Sequence, residues 1–317
     1  MASLEEIRDA RLKKLQILRD AGLDGYPAET DRNFEISKVV EDFEKLEKEK
    51  KEITIAGRVM ALRLQGVIGF VDLFDGTGVG ENTVSKLQIF LKKGDSLSEK
   101  KFDLFVETVD IGDFIEATGT LFVTKRNEKT LQISDWKMLT KSLRPLPEKW
   151  HGLQDLDERY RKRYLDLLLN NELRELIFKK SKFWETVRGF FKERGFLEVE
   201  TPTLESTTGG AEARPFKTHH NDFDIDMFMR ISVGELWQKR LMAAGFPKTF
   251  EIGKVYRNEG TSPEHLQEFT NMEFYWGYAN YRDGMNLVKE LYREIAQKVF
   301  GKTKFEYNGM TFDLANE

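Results

Sequence analysis

The sequence predicts an α+β protein in two parts, a small all-β barrel followed by a domain of helices around a strand–loop–strand unit. Three observations lead there. Between Glu52 and Met138, apolar residues recur with a period of two in five short segments separated by turn signals. From Glu172 a long amphipathic pattern of helical period takes over, and from Phe250 two strand-like runs flank a long polar loop. Between the parts lies KSLRPLPEKWHG (141–152), where Pro145 and Pro147 predict an extended linker.

Composition narrows the field. A chain of 317 residues is long enough for two cores, and 40% apolar with 12% aromatic residues is a globular composition. Charged residues make up 33%, yet the net charge is only −4, so any nucleic-acid contact must come from local basic patches. The absence of cysteine excludes disulfide scaffolds, thiolate metal sites and Cys nucleophiles, and suits a reducing cytosol. The N-terminus has no apolar leader core, and no run approaches membrane-spanning length. A soluble, cytoplasmic protein with no membrane partner is the expectation.

Residues 3–20 read as an amphipathic helix, with Leu4, Ile7, Leu15 and Leu18 beside Arg8, Arg11, Lys14 and Arg19. Gly22 and Gly25 stop it. The basic flank is either solvated or a contact for RNA phosphate. Asp42–Glu52 is a charged run, expected as a solvated helix and connector; 1–52 is thus a helical extension. The strand-like segments are Glu52–Met60, Gly69–Phe74, Lys86–Leu91, Asp113–Thr124 and Thr130–Met138. Five strands over 53–140 fit an OB-fold barrel, a common binder of single-stranded nucleic acid, or an SH3-like barrel. After the linker, 141–165, Arg159, Arg161, Lys162 and Arg163 stand beside Tyr160 and Tyr164. They suit an RNA backbone or a structural arginine network equally.

The second domain, 166–317, opens with a helix over Glu172–Arg194, ended by Gly195, then a strand Phe196–Glu200 stopped by Thr201-Pro202. It centres on FEIGKVYRNEGTSPEHLQEFTNMEFYWGYANY, Phe250–Tyr281. Strand alternation splits Glu268–Tyr278 into two faces. Thr270, Met272, Phe274, Trp276 and Tyr278 look like core. Phe269, Asn271, Glu273, Tyr275 and Gly277 look like a binding surface. Arg257 sits at the mouth of the loop; taken alone, it would pair with Glu251 or Glu259 on the surface. Arg282–Phe300 reads as a helix.

RNEG (Arg257–Gly260), then His265, then EFTNME (Glu268–Glu273) resemble motif 2 of class II aminoacyl-tRNA synthetases, in the form found in lysyl-tRNA synthetases. The helix–Gly-Phe–strand–Thr-Pro run of 172–202 resembles motif 1, the dimer interface of that class. GGAEARPFKTHHN (209–221) resembles the family's mobile loop over the amino acid. RISVGELWQKRL (230–241) is similar to its strand-to-helix step, although the usual proline before the Glu is absent and the segment is one residue longer. His219 and His220 are adjacent and point apart on an extended chain, which argues against a metal there.

The resemblance implies an OB-fold anticodon-binding domain and an incomplete class II catalytic domain, an antiparallel sheet flanked by helices. It implies ATP-dependent activation of L-lysine to lysyl-adenylate and transfer to tRNA(Lys), by a homodimer joined through motif 1. The nucleophile would be a carboxylate already ionised at neutral pH, so the protein must supply positive charge and alignment rather than a general base. A guanidinium suits that task because its fork matches oxygens bidentately. Arg257 would be the catalytic residue, bridging the α-phosphate and the lysine carboxylate. Glu259, His265 and Phe269 would complete the ATP site, with Phe269 stacked on adenine. Gly210, Glu235, Glu273 and Tyr275 would bind lysine. Arg63, Phe70, Gln88 and Glu128 would read the anticodon, although Phe70 also reads as barrel core and Gln88 as a solvated strand residue.

The class completes its site with a later segment that carries acidic ligands for Mg2+, a carboxylate for the lysine ε-ammonium and motif 3. That segment lies outside these residues, which hold no metal ligands, and they are expected to be inactive alone. Two other readings remain. An aspartyl- or asparaginyl-tRNA synthetase would need cations in its side-chain pocket, and a non-catalytic RNA-binding module would bind tRNA without lysine or ATP.

Overall fold

The computed structural model describes residues 3–78, 86–147 and 153–315, which form two compact units, Met1–Phe178 and Lys179–Glu317. Residues 79–85 and the end of the linker, 148–152, lie outside the described residues.

In the first unit, helix α1 (Leu4–Asp20) starts at a capping box in which Ser3 and Glu6 satisfy each other's amides. Leu15 and Leu18 are buried, as the apolar spacing predicts. The basic flank is not uniformly solvated. Arg8 and Arg19 are exposed, but Arg11 is buried and donates to the carbonyls of Ile111, Ser142 and Arg144 at 2.9–3.1 Å. Lys14 pairs with Asp110 at 2.6 Å. Helix α2 (Ile36–Glu41) precedes the predicted charged run, and α3 (Phe43–Lys48) covers part of it, burying Phe43 and Leu46 beneath its charges.

Five strands follow: β1 (Ile53–Gln65), β2 (Ile68–Phe74), β3 (Lys86–Lys92), β4 (Phe114–Val123) and β5 (Lys129–Thr140). They close into a barrel of order β1-β2-β3-β5-β4, antiparallel except where β3 meets β5. Between β3 and β4 the chain forms α4 (Glu99–Thr108), which buries Phe102 and Phe105, the latter edge-on to Trp136 at 5.0 Å. This order and the parallel closure make the barrel an OB-fold rather than an SH3-like one. Alternation puts Val71, Leu73, Leu87 and Ile89 inside and leaves Phe70, Asp72, Gln88 and Phe90 half-buried on the outer face. β1 runs past Met60 to Gln65, with an irregularity between Val59 and Ala61 that re-aims its distal half.

In helices α5 (Leu156–Arg161) and α6 (Arg163–Leu169) the basic cluster pairs with carboxylates of its own segment. Arg159 and Arg163 both reach the buried Asp166, Arg161 pairs with Asp157, and Lys162 with Glu158.

The second unit is built around α7 (Asn171–Glu193), whose Val187, Phe190 and Phe191 meet Phe196, Phe250, Leu287, Leu291 and Ile295 in one core. The expected strand Phe196–Glu200 shortens to β6 (Leu197–Glu198), in register with Thr249 and Phe250, and Val199 N adds one bond to Phe250 O at 2.9 Å. β7 (Leu204–Glu205), β8 (Lys217–His220) and β9 (Ile225–Met229) make a small sheet of order β7-β9-β8. Then come α8 (Glu235–Ala243), β10 (Lys248–Tyr256), β11 (Glu268–Trp276), α9 (Tyr281–Phe300) and the hairpin β12 (Lys304–Tyr307)–β13 (Met310–Asp313). β10 and β11 pair antiparallel over nine residues, from Lys248↔Trp276 to Tyr256↔Glu268, and β6 joins the far edge of β10 in parallel.

Met272, Phe274 and Trp276 pack on the core as predicted, but Tyr278 does not. The strand ends at Trp276, Gly277 turns back to donate to Pro247 O, and Tyr278 takes a left-handed conformation in full solvent exposure.

Candidate functional site

The polar face of β11 lies opposite a matching face of β10. Register sets Phe269 against Val255, Asn271 against Gly253, Glu273 against Glu251 and Tyr275 against Thr249. Each pair shares one side of the sheet, so Phe269, Asn271, Glu273 and Tyr275 form a single row.

At one end of the row stands Arg257. Its amide donates to Gln267 O at 2.8 Å, closing the neck of the polar loop, and its Nε points to Ile231 O at 3.3 Å. The guanidinium lies 5.2 Å from the Phe269 ring centre, so the two sequence-predicted residues meet. The expected surface pairs of Arg257 with Glu251 or Glu259 do not describe the site. Glu251 is buried with Arg230, and Glu259 accepts from the amide of Arg214 at 3.1 Å. With Asn258 N on Arg214 O at 2.7 Å, this ties the loop to the 209–221 segment. His265 is exposed in the loop, its Nδ1 2.8 Å from Ser262 Oγ.

At the other end two carboxylates converge. Glu235 opens α8 and faces β11, where the Tyr275 phenol donates to its Oε2, while Lys239 one turn on donates to Oε1. Those two hydrogen bonds, Lys239 first, hold the Glu235 carboxyl below the ordinary 4.5. Burial and then the bond to Glu235 push the Tyr275 phenol up. Glu273 accepts from Val233 N at 3.1 Å and Asn271 Nδ2 at 3.2 Å. Burial raises its carboxyl above 4.5, Glu235 adds to the rise, and the Val233 amide and Arg257 oppose it. The two carboxyls are thus shifted in opposite directions. Together they suit an ammonium, as Arg257 suits an anion.

Gly210 borders this end. Its φ is +88°, and a Cβ there would lie 2.0 Å from Ser232 Oγ and 2.6 Å from Glu235 Cβ. Only glycine fits.

Sequence reasoning missed what lies under the row. Arg230 and Glu251 pair at 2.5 Å, both almost fully buried, and Thr201 Oγ1 donates to Glu251 at 2.7 Å. Gly253, two residues after Glu251 on the same strand face, was the available signal. A Cβ there would lie 2.1 Å from Arg230 Nη2, so the glycine makes room for a large side chain.

On the barrel, Arg63 pairs in register with Phe70, and its guanidinium bonds Asp72 at 2.9 Å. Phe70 packs on Phe90 at 5.0 Å, and Phe90 on Phe122 at 5.8 Å, on the outer face. Gln88 lies across from Asp72 and accepts from Thr130 Oγ1. Phe70 is therefore not core, and Gln88 is partly buried rather than freely solvated. Glu128 is exposed in the turn before β5. Arg63, Phe70 and Gln88 share one surface.

His219 faces Asp224 and Asp226, whereas His220 stacks on Phe223. Among the described residues, no group of three or more His, Asp or Glu side chains is arranged to hold a metal ion, and no helix is long and apolar enough to cross a membrane.

Comparison with known proteins matches residues 155–316 to the tRNA synthetases of class II (D, K and N), and residues 53–139 to the OB-fold nucleic acid binding domain. The chain is 46% identical over 312 residues to a lysine–tRNA ligase of Roseiflexus sp. (strain RS-1), covering 98% of this chain and 62% of that protein. It is 44% identical to a lysine–tRNA ligase of Thermoanaerobacter sp. (strain X514), covering 98% and 60%. With that of Thermotoga maritima it shares 43% over 315 residues, covering 98% and 61%. The chain thus spans about 60% of the length of these curated relatives.

Proposed function

We propose that this chain, which belongs to the class II (D, K and N) tRNA synthetases, carries the anticodon-binding barrel and part of the active site of a lysine–tRNA ligase. The observation that carries the reading is the row on β11. It has a guanidinium beside an aromatic ring at one end and two carboxylates at the other, all on one sheet face. ATP would lie at the Phe269 end, its adenine on the ring and its phosphates toward Arg257 and His265, with Glu259 near the base. Lysine would lie at the Glu235–Glu273 end, its α-ammonium between the carboxylates and Tyr275 alongside, with Gly210 closing over it. Arg257 stands where the amino-acid carboxylate must meet the α-phosphate, and its role is to neutralise and align them.

Both carboxylates would face the α-ammonium that every amino acid carries, so the choice of lysine over aspartate or asparagine rests on the likeness to lysine–tRNA ligases. The outer barrel face, with Arg63, Phe70, Gln88 and Glu128, would take the anticodon of tRNA(Lys) by stacking and edge contacts. Leu176 and Ile177, exposed on α7, suit a homodimer through the motif 1 segment. The described residues do not fit a resident Mg2+. The test is ATP–pyrophosphate exchange by the full-length protein with lysine, arginine and aspartate. Lysine alone should support exchange. Exchange with aspartate, or exchange that survives Arg257→Ala, sinks the reading, and exchange by residues 1–317 alone sinks the expectation that this part is inactive.

A further inference from the structure

The residues placed at the two substrates hang on one short piece of backbone. Ile231 offers its carbonyl to Arg257 Nε at 3.3 Å, and Val233 gives its amide to Glu273 Oε1 at 3.1 Å. Gly234 then caps α8, whose first residue is Glu235. Residues 231–233, all buried, therefore touch the anion-binding guanidinium and the ammonium-binding carboxylate at once.

What sets that segment is the pair beneath it. Arg230 Nη1 meets Glu251 Oε1 at 2.5 Å, while its Nε donates to Lys254 O at 2.8 Å. The same Nη1 lies 3.3 Å from both Thr201 O and Thr201 Oγ1, and Thr201 Oγ1 donates to Glu251 Oε2 at 2.7 Å. The main chain of Arg230 is fixed as well, by Thr203 O and by the amide of Tyr256. A Cβ at Gly234 would come within 2.8 Å of Glu251 Oε2 and Thr201 Oγ1, so the neighbouring backbone lies directly on the pair. A buried ion pair so fully hydrogen-bonded contributes little net stability but holds its surroundings in one arrangement.

We propose that Arg230 and Glu251 are positioning residues: they fix the 231–233 backbone, and through it keep Arg257 and Glu273 in common register. The inference rests on the roles given above to Arg257 and Glu273. One strut then aligns the nucleotide and amino-acid sites, and disturbing it moves both together.

The test measures lysine-dependent ATP–pyrophosphate exchange and Tm for Arg230→Lys and Glu251→Gln in the full-length protein. KM for lysine and KM for ATP should rise together, each by about tenfold, the scale of a lost charge-assisted hydrogen bond. Phe190→Leu, in the core of the same unit, should lower Tm and leave both KM values unchanged. Variants of the pair that lower Tm with both KM values at wild-type, or that move only one of them, overturn the proposal. If neither folds, the milder Glu251→Asp, which withdraws the carboxylate from Arg230 by one methylene, must still raise both KM values, and unchanged values overturn it equally. The underlying reading fails separately, if Arg257→Ala and Glu273→Gln leave exchange intact.

Discussion

Tyr275 on β11 donates its phenolic hydrogen to Glu235 at the start of α8, linking sheet and helix across the ammonium end of the site. Tyr275 is one of the residues proposed above to hold lysine. Its contact with Glu235 gives it a second task, aiming that carboxylate.

Tyr275→Phe should therefore raise KM for lysine by about tenfold or more, the scale of one hydrogen bond to a charged group. KM for ATP should stay within about twofold, because Arg257 and Phe269 lie at the other end of the row. Exchange kinetics at varied lysine and ATP check both numbers, and an equal rise in the two would remove this assignment.

Glu273 ties stability to pH. Burial raises its carboxyl in the folded protein, so between the ordinary 4.5 and the raised value the native state binds more protons than the unfolded chain. The contribution of Glu273 to stability is fully present below the ordinary 4.5 and is lost as pH rises through the raised value. Glu273→Gln should accordingly raise Tm at pH 7, with the gain vanishing near pH 4, while abolishing lysine binding. Thermal melts across pH, with titration calorimetry for lysine, read out the two effects.

Gly210→Ala should impair lysine binding, because it meets Ser232 and Glu235 and must hold a φ of +88°. A loss of about tenfold or more in lysine affinity is expected, the scale of overpacking. Gly210→Ala with Ser232→Gly removes the nearer clash but neither the φ nor the Glu235 contact, so recovery should be partial.

Phe70→Leu should weaken binding of a tRNA(Lys) anticodon stem-loop by about fivefold or more, as loss of a base–aromatic stack does. Exchange should be unchanged. Fluorescence anisotropy with the stem-loop, beside exchange, separates the barrel's task from that of the sheet.

Local periodicity made the central pieces legible. Alternation from Phe269 to Trp276 placed a polar row and an apolar row correctly because β10 and β11 pair without a bulge. It failed at Tyr278, where the strand had already ended, since a turn leaves no mark on a period-two pattern. The barrel was visible as five strands, but its order was not, because the β3–β5 pairing is a long-range fact. Arg11 reads as one more solvated base on a helix flank, and the Arg230–Glu251 pair is hidden likewise. Their partners lie 21 to 133 residues away, where no spacing rule reaches.

Arg11 also bears on the order in which the chain can be completed. Its acceptors at Ser142 and Arg144 follow it by 131 and 133 residues. At ribosomal rates of about 5–20 residues per second, α1 emerges on the order of 10 s before the groups that anchor it exist. A 17-residue helix is marginal alone, so it waits as a fluctuating amphipathic segment. Arg11 gains its last anchors only once residues 142–144, just past the end of β5, have been made.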